Sequence, residues 1–289
     1  MDALIWEGEQ PALRSPLLVA AFRGWNDAAG AASAALETVA ASLDAEPIAS
    51  IDPEEFVDFQ ATRPQITLSE GQTRQIEWPV STLYAARAPA AERDLVLLEG
   101  IEPNLRWRTF AEGIVEAAER IGVELVITLG ALIAEVAHSL PVPITGLASS
   151  EELVERLDLS RSSYEGPTGI VGVLHDACRR HDLDSASLWA AVPHYVAAVP
   201  NPKAALALLR RLEGLTGIAV DASELEEESD RYEEQVGRAV AANPEIEELV
   251  QRIEEQQAEQ LGEGEDVPSA DAIAREFQRF LRQRGTDKN

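Results

Sequence analysis

Short apolar runs alternate with amphipathic stretches up to about residue 219 of this chain. Leu17-Leu18-Val19-Ala20-Ala21-Phe22 and Asp94-Leu95-Val96-Leu97-Leu98 read as strands buried on both faces. Further strands are predicted over Ile48–Asp52, Gln65–Leu68, Arg74–Trp78, Ser81–Ala86, Leu125–Leu129, Val142–Gly146 and Ser187–Val192. Ser69-Glu70-Gly71-Gln72 between two of these reads as a hairpin turn.

Helices are predicted from start signals. Thr109-Phe110-Ala111-Glu112 is a capping box ahead of Ile114, Val115, Ala118 and Ile121 on one face. Ser149-Ser150-Glu151-Glu152 is another. Asn201-Pro202 places an N-cap before proline at the first helical position, and Gly214 is expected to end that helix. This alternation implies an α/β sandwich with a mostly parallel central sheet.

Near residue 220 the pattern changes. From Asp221 to Glu265 there are sixteen acidic residues and three arginines, a net charge of -13. Apolar residues still recur at helical spacing there. A capping box at Ser223-Glu224-Leu225-Glu226 precedes Tyr232, Val236 and Val240, and Asn243-Pro244 precedes Ile246, Leu249, Val250 and Ile253. Gly262-Glu263-Gly264-Glu265-Asp266 reads as a linker, and Pro268-Ser269 opens a last helix with Ile273, Phe277, Phe280 and Leu281. The expectation is a sandwich over 1–220 and an acidic helical subdomain over 221–289. That subdomain should pack on the sandwich or on a neighbouring subunit.

The formal net charge is -27. That disfavours nucleic acid and anionic membrane, which attract lysine and arginine. The single cysteine, Cys178, permits no intramolecular disulfide, and no apolar stretch approaches a bilayer span. Without a signal peptide, the chain is expected to be cytoplasmic.

The strand ends carry the candidate chemistry. Arg23-Gly24-Trp25-Asn26-Asp27 and Glu99-Gly100-Ile101-Glu102-Pro103-Asn104 each follow an apolar run. Open α/β sheets place ligand or partner contacts at such ends. The histidines His138, His175, His181 and His194 form no metal-binding spacing, and the Ile170, Leu174, Cys178 stripe puts the thiol in the core. There is no Gly-x-Ser-x-Gly elbow. Gly166-Pro167-Thr168-Gly169-Ile170-Val171-Gly172 enters a helix, with Thr168 as its N-cap. It offers backbone donors to an anion, or simply lets the helix approach the sheet; packing is the simpler reading. Solvated acids are the default for Asp27, Glu99, Glu102, Glu135 and Glu165. Trp25, Trp107, Tyr164 and Tyr195 nearby suit a nucleobase or sugar pocket, and equally a protein interface.

Taken together, Gly24–Gly30, Leu97–Asn104, Thr128–Ala131, Pro141–Gly146 and Tyr164–Gly169 resemble the proteasome assembly chaperone family, and most of all its bacterial branch. The resemblance implies a three-layer α/β/α sandwich similar to purine nucleoside phosphorylases, and a homo-oligomer, for which a trimer is favoured. It also implies a proteasome-related partner. A hydrophobic–Tyr–x tail often serves that role, and this sequence ends in Asp287-Lys288-Asn289 instead.

The resulting expectation is a non-enzymatic, assembly-chaperone-like binding protein with no cofactor, metal or catalytic residue assigned. Its contact residues are Trp25, Asn26, Asp27, Glu99, Glu102, Asn104, Tyr164, Glu165 and Thr168. The alternative is an enzyme or sensor for a nucleoside-like or sugar-phosphate molecule, bound in a cleft at the strand C-termini.

Overall fold

The structure is a computed structural model that describes residues 3–8, 11–69, 73–148, 150–161 and 165–262. In chain order the elements are β1 (Leu4–Trp6), β2 (Leu17–Arg23), α1 (Ala31–Ser42), β3 (Glu46–Ile51), β4 (Gln65–Ser69), β5 (Thr73–Glu77), β6 (Ser81–Ala86), β7 (Leu95–Ile101), α2 (Trp107–Ile121), β8 (Leu125–Ala134), β9 (Ile144–Ala148), α3 (Glu151–Leu157), β10 (Ser160–Arg161), α4 (Ile170–Arg180), β11 (Asp184–Pro193), α5 (Pro202–Thr216), α6 (Ser223–Ala241) and α7 (Pro244–Gly262).

Nine strands form one sheet in the order β1-β3-β6-β7-β2-β8-β11-β9-β10. The inner four, β7, β2, β8 and β11, are parallel. The flanking pairs β1·β3, β3·β6, β6·β7 and β9·β11 are antiparallel. The sheet is therefore mixed, with a parallel centre and one further short parallel pair, β9·β10, at its edge. The physical reason is the connections. The centre is joined through helices, whereas β6 (ending at Ala86) reaches β7 (starting at Leu95) through a loop too short for a parallel crossover.

β2 sits at the middle and shows how the layers form. Leu17, Val19 and Ala21 point to a core shared with α1, α3 and α5. Leu18, Ala20 and Phe22 point to a second core shared with α2 and α4. A strand buried on both faces has no polar alternation, hence its continuous apolar run.

Several boundaries differ from the expectation. α2 begins at Trp107, with Arg106 as a left-handed N-cap at φ 53°, so the Thr109 hydroxyl lies inside the helix and the capping box is not used. The N-cap of α3 is Ser150, whose hydroxyl accepts from Leu153 N at 3.3 Å; Ser149 lies outside the described residues. α5 runs past Gly214 to Thr216, and Gly217 (φ 71°) caps it in the left-handed region that glycine favours. Asn201 caps its start as expected, accepting from Ala204 N at 2.9 Å. Ser223 is the first helical residue of α6 rather than its cap, and its hydroxyl donates to Asp221. Of the expected hairpin turn, Ser69 is the last residue of β4, and residues 70–72 lie outside the described residues.

The acidic helices dock on the sandwich. Tyr232, Val236 and Val240 of α6 and Val250 and Ile253 of α7 enclose a small core with Ala137, Leu140, Tyr195 and Val196, from the loops after β8 and β11. Lys203 Nζ donates to His138 O at 2.6 Å and pairs with Glu233 at 2.5 Å. Gln257 Oε1 accepts from Ala137 N at 2.8 Å. Of the linker expected over Gly262–Asp266, Gly262 ends α7, and the rest of it and the Pro268 helix lie outside the described residues.

Candidate functional site

The site grows from the end of β2. Gly24 has φ 134°, a conformation that strains any other residue. A Cβ on Gly24 would also stand 3.1 Å from Glu102 Cβ. The bare backbone lets the loop after β7 come in close, where Glu102 N donates to Arg23 O at 2.9 Å. Asn26 is buried, and its carbonyl accepts from Ala131 N at 2.8 Å. A parallel bridge between Asp27 and Ala131 extends the sheet by one step.

Asp27 turns inward to the start of α1. Its Oδ1 accepts from Ala32 N at 2.7 Å and its Oδ2 from Ser33 Oγ at 2.6 Å. A carboxylate there satisfies orphan helix donors and opposes the positive end of the helix dipole. Burial pushes its carboxyl above the usual carboxylate range, while these hydrogen bonds pull the other way.

Glu102 does the same for α4. One oxygen, Oε1, accepts from Asn26 Nδ2 at 2.9 Å and from Ile170 N at 2.9 Å. The N-cap of α4 is Gly169, not Thr168, and it donates no side chain to the cap. Glu102 supplies from a distant loop what the local sequence lacks. Gly169 is required by space: a Cβ would lie 2.4 Å from Asn26 Nδ2 and 2.6 Å from Glu102 Oε1. Gly172 clears Thr168, whose hydroxyl would be 2.0 Å from a Cβ there. These glycines therefore make room for the Asn26–Glu102 pair and for Thr168, rather than for close approach of the helix to the sheet.

The other expected residues are spread around this latch. Glu99 does not join Glu102. It shares the parity of Leu95 and Leu97, so it faces α1, where it pairs with Arg23 at 2.7 Å. Arg23 also pairs with Glu37 of α1 at 2.5 Å. Burial raises the Glu99 carboxyl, and Arg23 opposes that rise. Asn104 fastens the segment after β3: its Oδ1 accepts from Asp58 N at 2.8 Å, and its own N donates to Phe56 O at 2.8 Å. Trp25 is 41% exposed at the same edge. Glu165 and Thr168 are exposed ahead of α4, and Tyr164 lies outside the described residues. The structure thus joins Gly24–Asp27, Glu102–Asn104 and Thr168–Ile170 at one end of the sheet, with Glu99 on the opposite face.

The sequence reasoning gave no site role to Arg23 or Ser33, and read Gly169 as a packing glycine of the helix rather than as the space for the Asn26–Glu102 pair. Arg23 was legible as the lone cation of the first loop, and Ser33 lies only six residues from the Asp27 it serves; the role of Gly169 depends on the distant loops that bring Asn26 and Glu102 to it. The histidines serve structural contacts. His175 Nε2 lies 3.0 Å from Thr128 Oγ1, and burial pulls its pKa down to about 4. His181 bridges Glu112 at 2.7 Å and Glu119 at 3.0 Å, which raises its pKa. Cys178 is buried and its thiol is pushed up to about 12, which makes it a core residue without nucleophilic character.

The model of the PAC2 family matches residues 21–240, a span that includes every element of the latch. The chain belongs to the PAC2 family. A PAC2 family protein from Streptomyces avermitilis is 44% identical over 81% of this chain and 99% of its own, with a TM-score of 0.76. A Mycobacterium tuberculosis protein described as a proteasome-assembly chaperone homologue is 42% identical, covering 81% of this chain and 99% of its own, with a TM-score of 0.74. A second Mycobacterium tuberculosis protein, of unknown function, is 29% identical over 97% of this chain and 96% of its own, at a TM-score of 0.83. No curated protein matches the chain. Among the described residues of this PAC2 protein no helix is long and apolar enough to cross a membrane.

Proposed function

We propose that this PAC2 protein is a non-enzymatic, homo-oligomeric binding protein of the cytoplasm that assists assembly of a proteasome-related partner. The observation that carries the reading is the 42% identity, over 81% of the chain, to a protein described as a proteasome-assembly chaperone homologue. The site geometry supports it. Asn26, Asp27, Glu102 and Asn104 have their polar groups engaged with one another or with backbone. The first donor of α4, which an anionic ligand would need, already serves Glu102. This arrangement weighs against the nucleoside or sugar-phosphate reading and in favour of a rigid edge presented to a protein. Trp25 and Leu105, 53% exposed, are the apolar side chains on that edge.

The test is to mix the purified chain with proteasome α-type and β-type subunits from the same source. The mixture is followed by native mass spectrometry. A complex that Trp25→Ala weakens supports the reading. Absence of any complex, together with a thermal shift by nucleosides or sugar phosphates, favours the small-molecule alternative.

A further inference from the structure

The loop after β8 fastens both acidic helices through three consecutive residues. Ala137 N donates to Gln257 Oε1 of α7 at 2.8 Å, and the Ser139 hydroxyl donates to Glu254 of the same helix. Between them His138 is only 7% exposed. Its carbonyl accepts from Lys203 Nζ of α5 at 2.6 Å, and that ammonium also pairs with Glu233 of α6 at 2.5 Å. Its ring lies under α6, where a Cβ on Gly237 would stand 3.7 Å from Nε2. Tyr195 Oη accepts the His138 backbone N–H at 2.8 Å and lies 2.9 Å from Nδ1. The tyrosine's own proton is then placed to reach Nδ1, which accepts it only in a neutral ring. A charged ring would turn Nδ1 into a second donor toward Tyr195 and leave that proton to find another acceptor.

The groups packed around this ring come from four elements. The loop after β11 brings Tyr195, with His194 edge-on to it; α5 brings Lys203, α6 brings Tyr232 and Glu233, and α7 brings Glu254. Burial and the Lys203 ammonium oppose a charge on His138, and hold its pKa below 6.5 against the two carboxylates. Both carboxylates are already engaged, Glu233 by Lys203 and Glu254 by Ser139. The closed arrangement has weak points. Among the described residues the buried Tyr232 hydroxyl finds no hydrogen-bond partner, and Gly237 is a poor helix former in mid-helix. The start of α6 is firmer, with Leu225 in the main core and Glu226 paired with Arg210 of α5. We propose that residues 237–262 form a strap over the C-terminal ends of β8 and β11, closed by neutral His138 and released when this ring takes up a proton. Release bares Ala137, Leu140, Tyr195 and Val196. That surface adjoins the latch, because β8 lies between β2 and β11. The strap acts in this way whatever partner the edge receives.

The test is hydrogen exchange of the full chain at pH 7.5 and pH 5.5, with the intrinsic exchange rates divided out. Protection of the α7 amides should fall about tenfold between the two, as for one group of pKa 6.5 that stays neutral while the strap is closed. His138→Asn sets an amide oxygen near the place of Nδ1, can accept the Tyr195 proton and does not titrate, so α7 protection should be the same at both pH values. His138→Gln should behave alike, and covers a failure of the shorter side chain to close the strap. Amides of β2 and β8 that stay protected at pH 7.5 show that each variant is folded. His175→Gln should keep the tenfold fall, which separates the strap from the acid sensitivity of the sandwich. Unchanged α7 protection in the wild type at pH 5.5, or a fall that survives in both His138 variants, overturns the proposal. A strap already open at pH 7.5 in both variants overturns it too, because hydrogen bonding rather than charge would then control closure.

Discussion

Glu102 Oε1 accepts the Ile170 backbone N–H at 2.9 Å, across 68 residues of sequence. The same oxygen holds Asn26 Nδ2, so one carboxylate locks the ends of β2 and β7 to the start of α4. A helix terminus capped by a remote acid fixes its loops relative to each other, which a local cap cannot do.

Glu102→Ala leaves the Asn26 amide and the Ile170 N–H without this partner, at a cost of about 1–3 kcal/mol. Glu102→Gln keeps an acceptor and loses only the charge at the helix start, so its cost should be about 0.5–1 kcal/mol. Gly169→Ala forces a Cβ into the pair and should resemble Glu102→Ala. Urea denaturation of the three variants checks the order. Equal stability of Glu102→Ala and wild type would remove the latch from the account.

Acid stability should depend on Asp94. Its carboxylate accepts from Arg14 N at 2.8 Å, Arg14 Nη2 at 2.6 Å and Ala88 N at 3.0 Å. The Arg14 hydrogen bond leads in pulling its pKa from 3.8 to about 2. A carboxylate with a depressed folded pKa stabilises fully above the unfolded value and loses this as pH falls from near 4 through 2. Because Arg14 is half exposed, the loss should be about 1 kcal/mol, less than the full shift implies. Melting temperatures between pH 4.5 and 2 should fall less steeply for Asp94→Asn, which starts from a lower value at pH 7.

His175 acts at milder acidity. Its ring is neutral in the fold, with a pKa near 4 against 6.5 in the unfolded chain. Between those values the unfolded state binds the extra proton, so stability is full above pH 6.5 and declines toward pH 4. At pH 5 the loss relative to pH 7.5 is about 2 kcal/mol. His175→Gln retains a partner for Thr128 and should flatten that window. Denaturation midpoints at pH 5 and 7.5 measure it, and an unchanged slope in the variant would assign the effect to another group.

The acidic helices should unfold before the sandwich. Ile253 is buried in the small core between α6, α7 and the loops after β8 and β11. Ile253→Ala should cost about 2–4 kcal/mol of local stability, because truncation there leaves a cavity. Hydrogen exchange should show α7 amides losing protection while β2 and β8 keep theirs. A chain ending at residue 220 should retain the sheet, and loss of its circular dichroism signal would show that the tail is integral to folding.

The layers of this protein were legible from the sequence because burial alone determines them. A strand covered on both faces must be apolar throughout, as Leu17–Phe22 and Leu95–Leu98 are. Caps with a local partner were equally legible, such as Asn201 before Pro202. α1 gave no such signal: Ala31–Ser42 is rich in alanine, which carries little contrast between faces. Tertiary structure alone decided the site. Glu99 and Glu102 read as one acidic loop, yet three steps along the chain turn them to opposite faces, toward Arg23 and toward Ile170. Thr168 looked like the cap of α4, and the cap proved to be a carboxylate from a loop that meets the helix only after the sheet is assembled. Local sequence fixes which groups need partners; the fold decides which distant groups supply them.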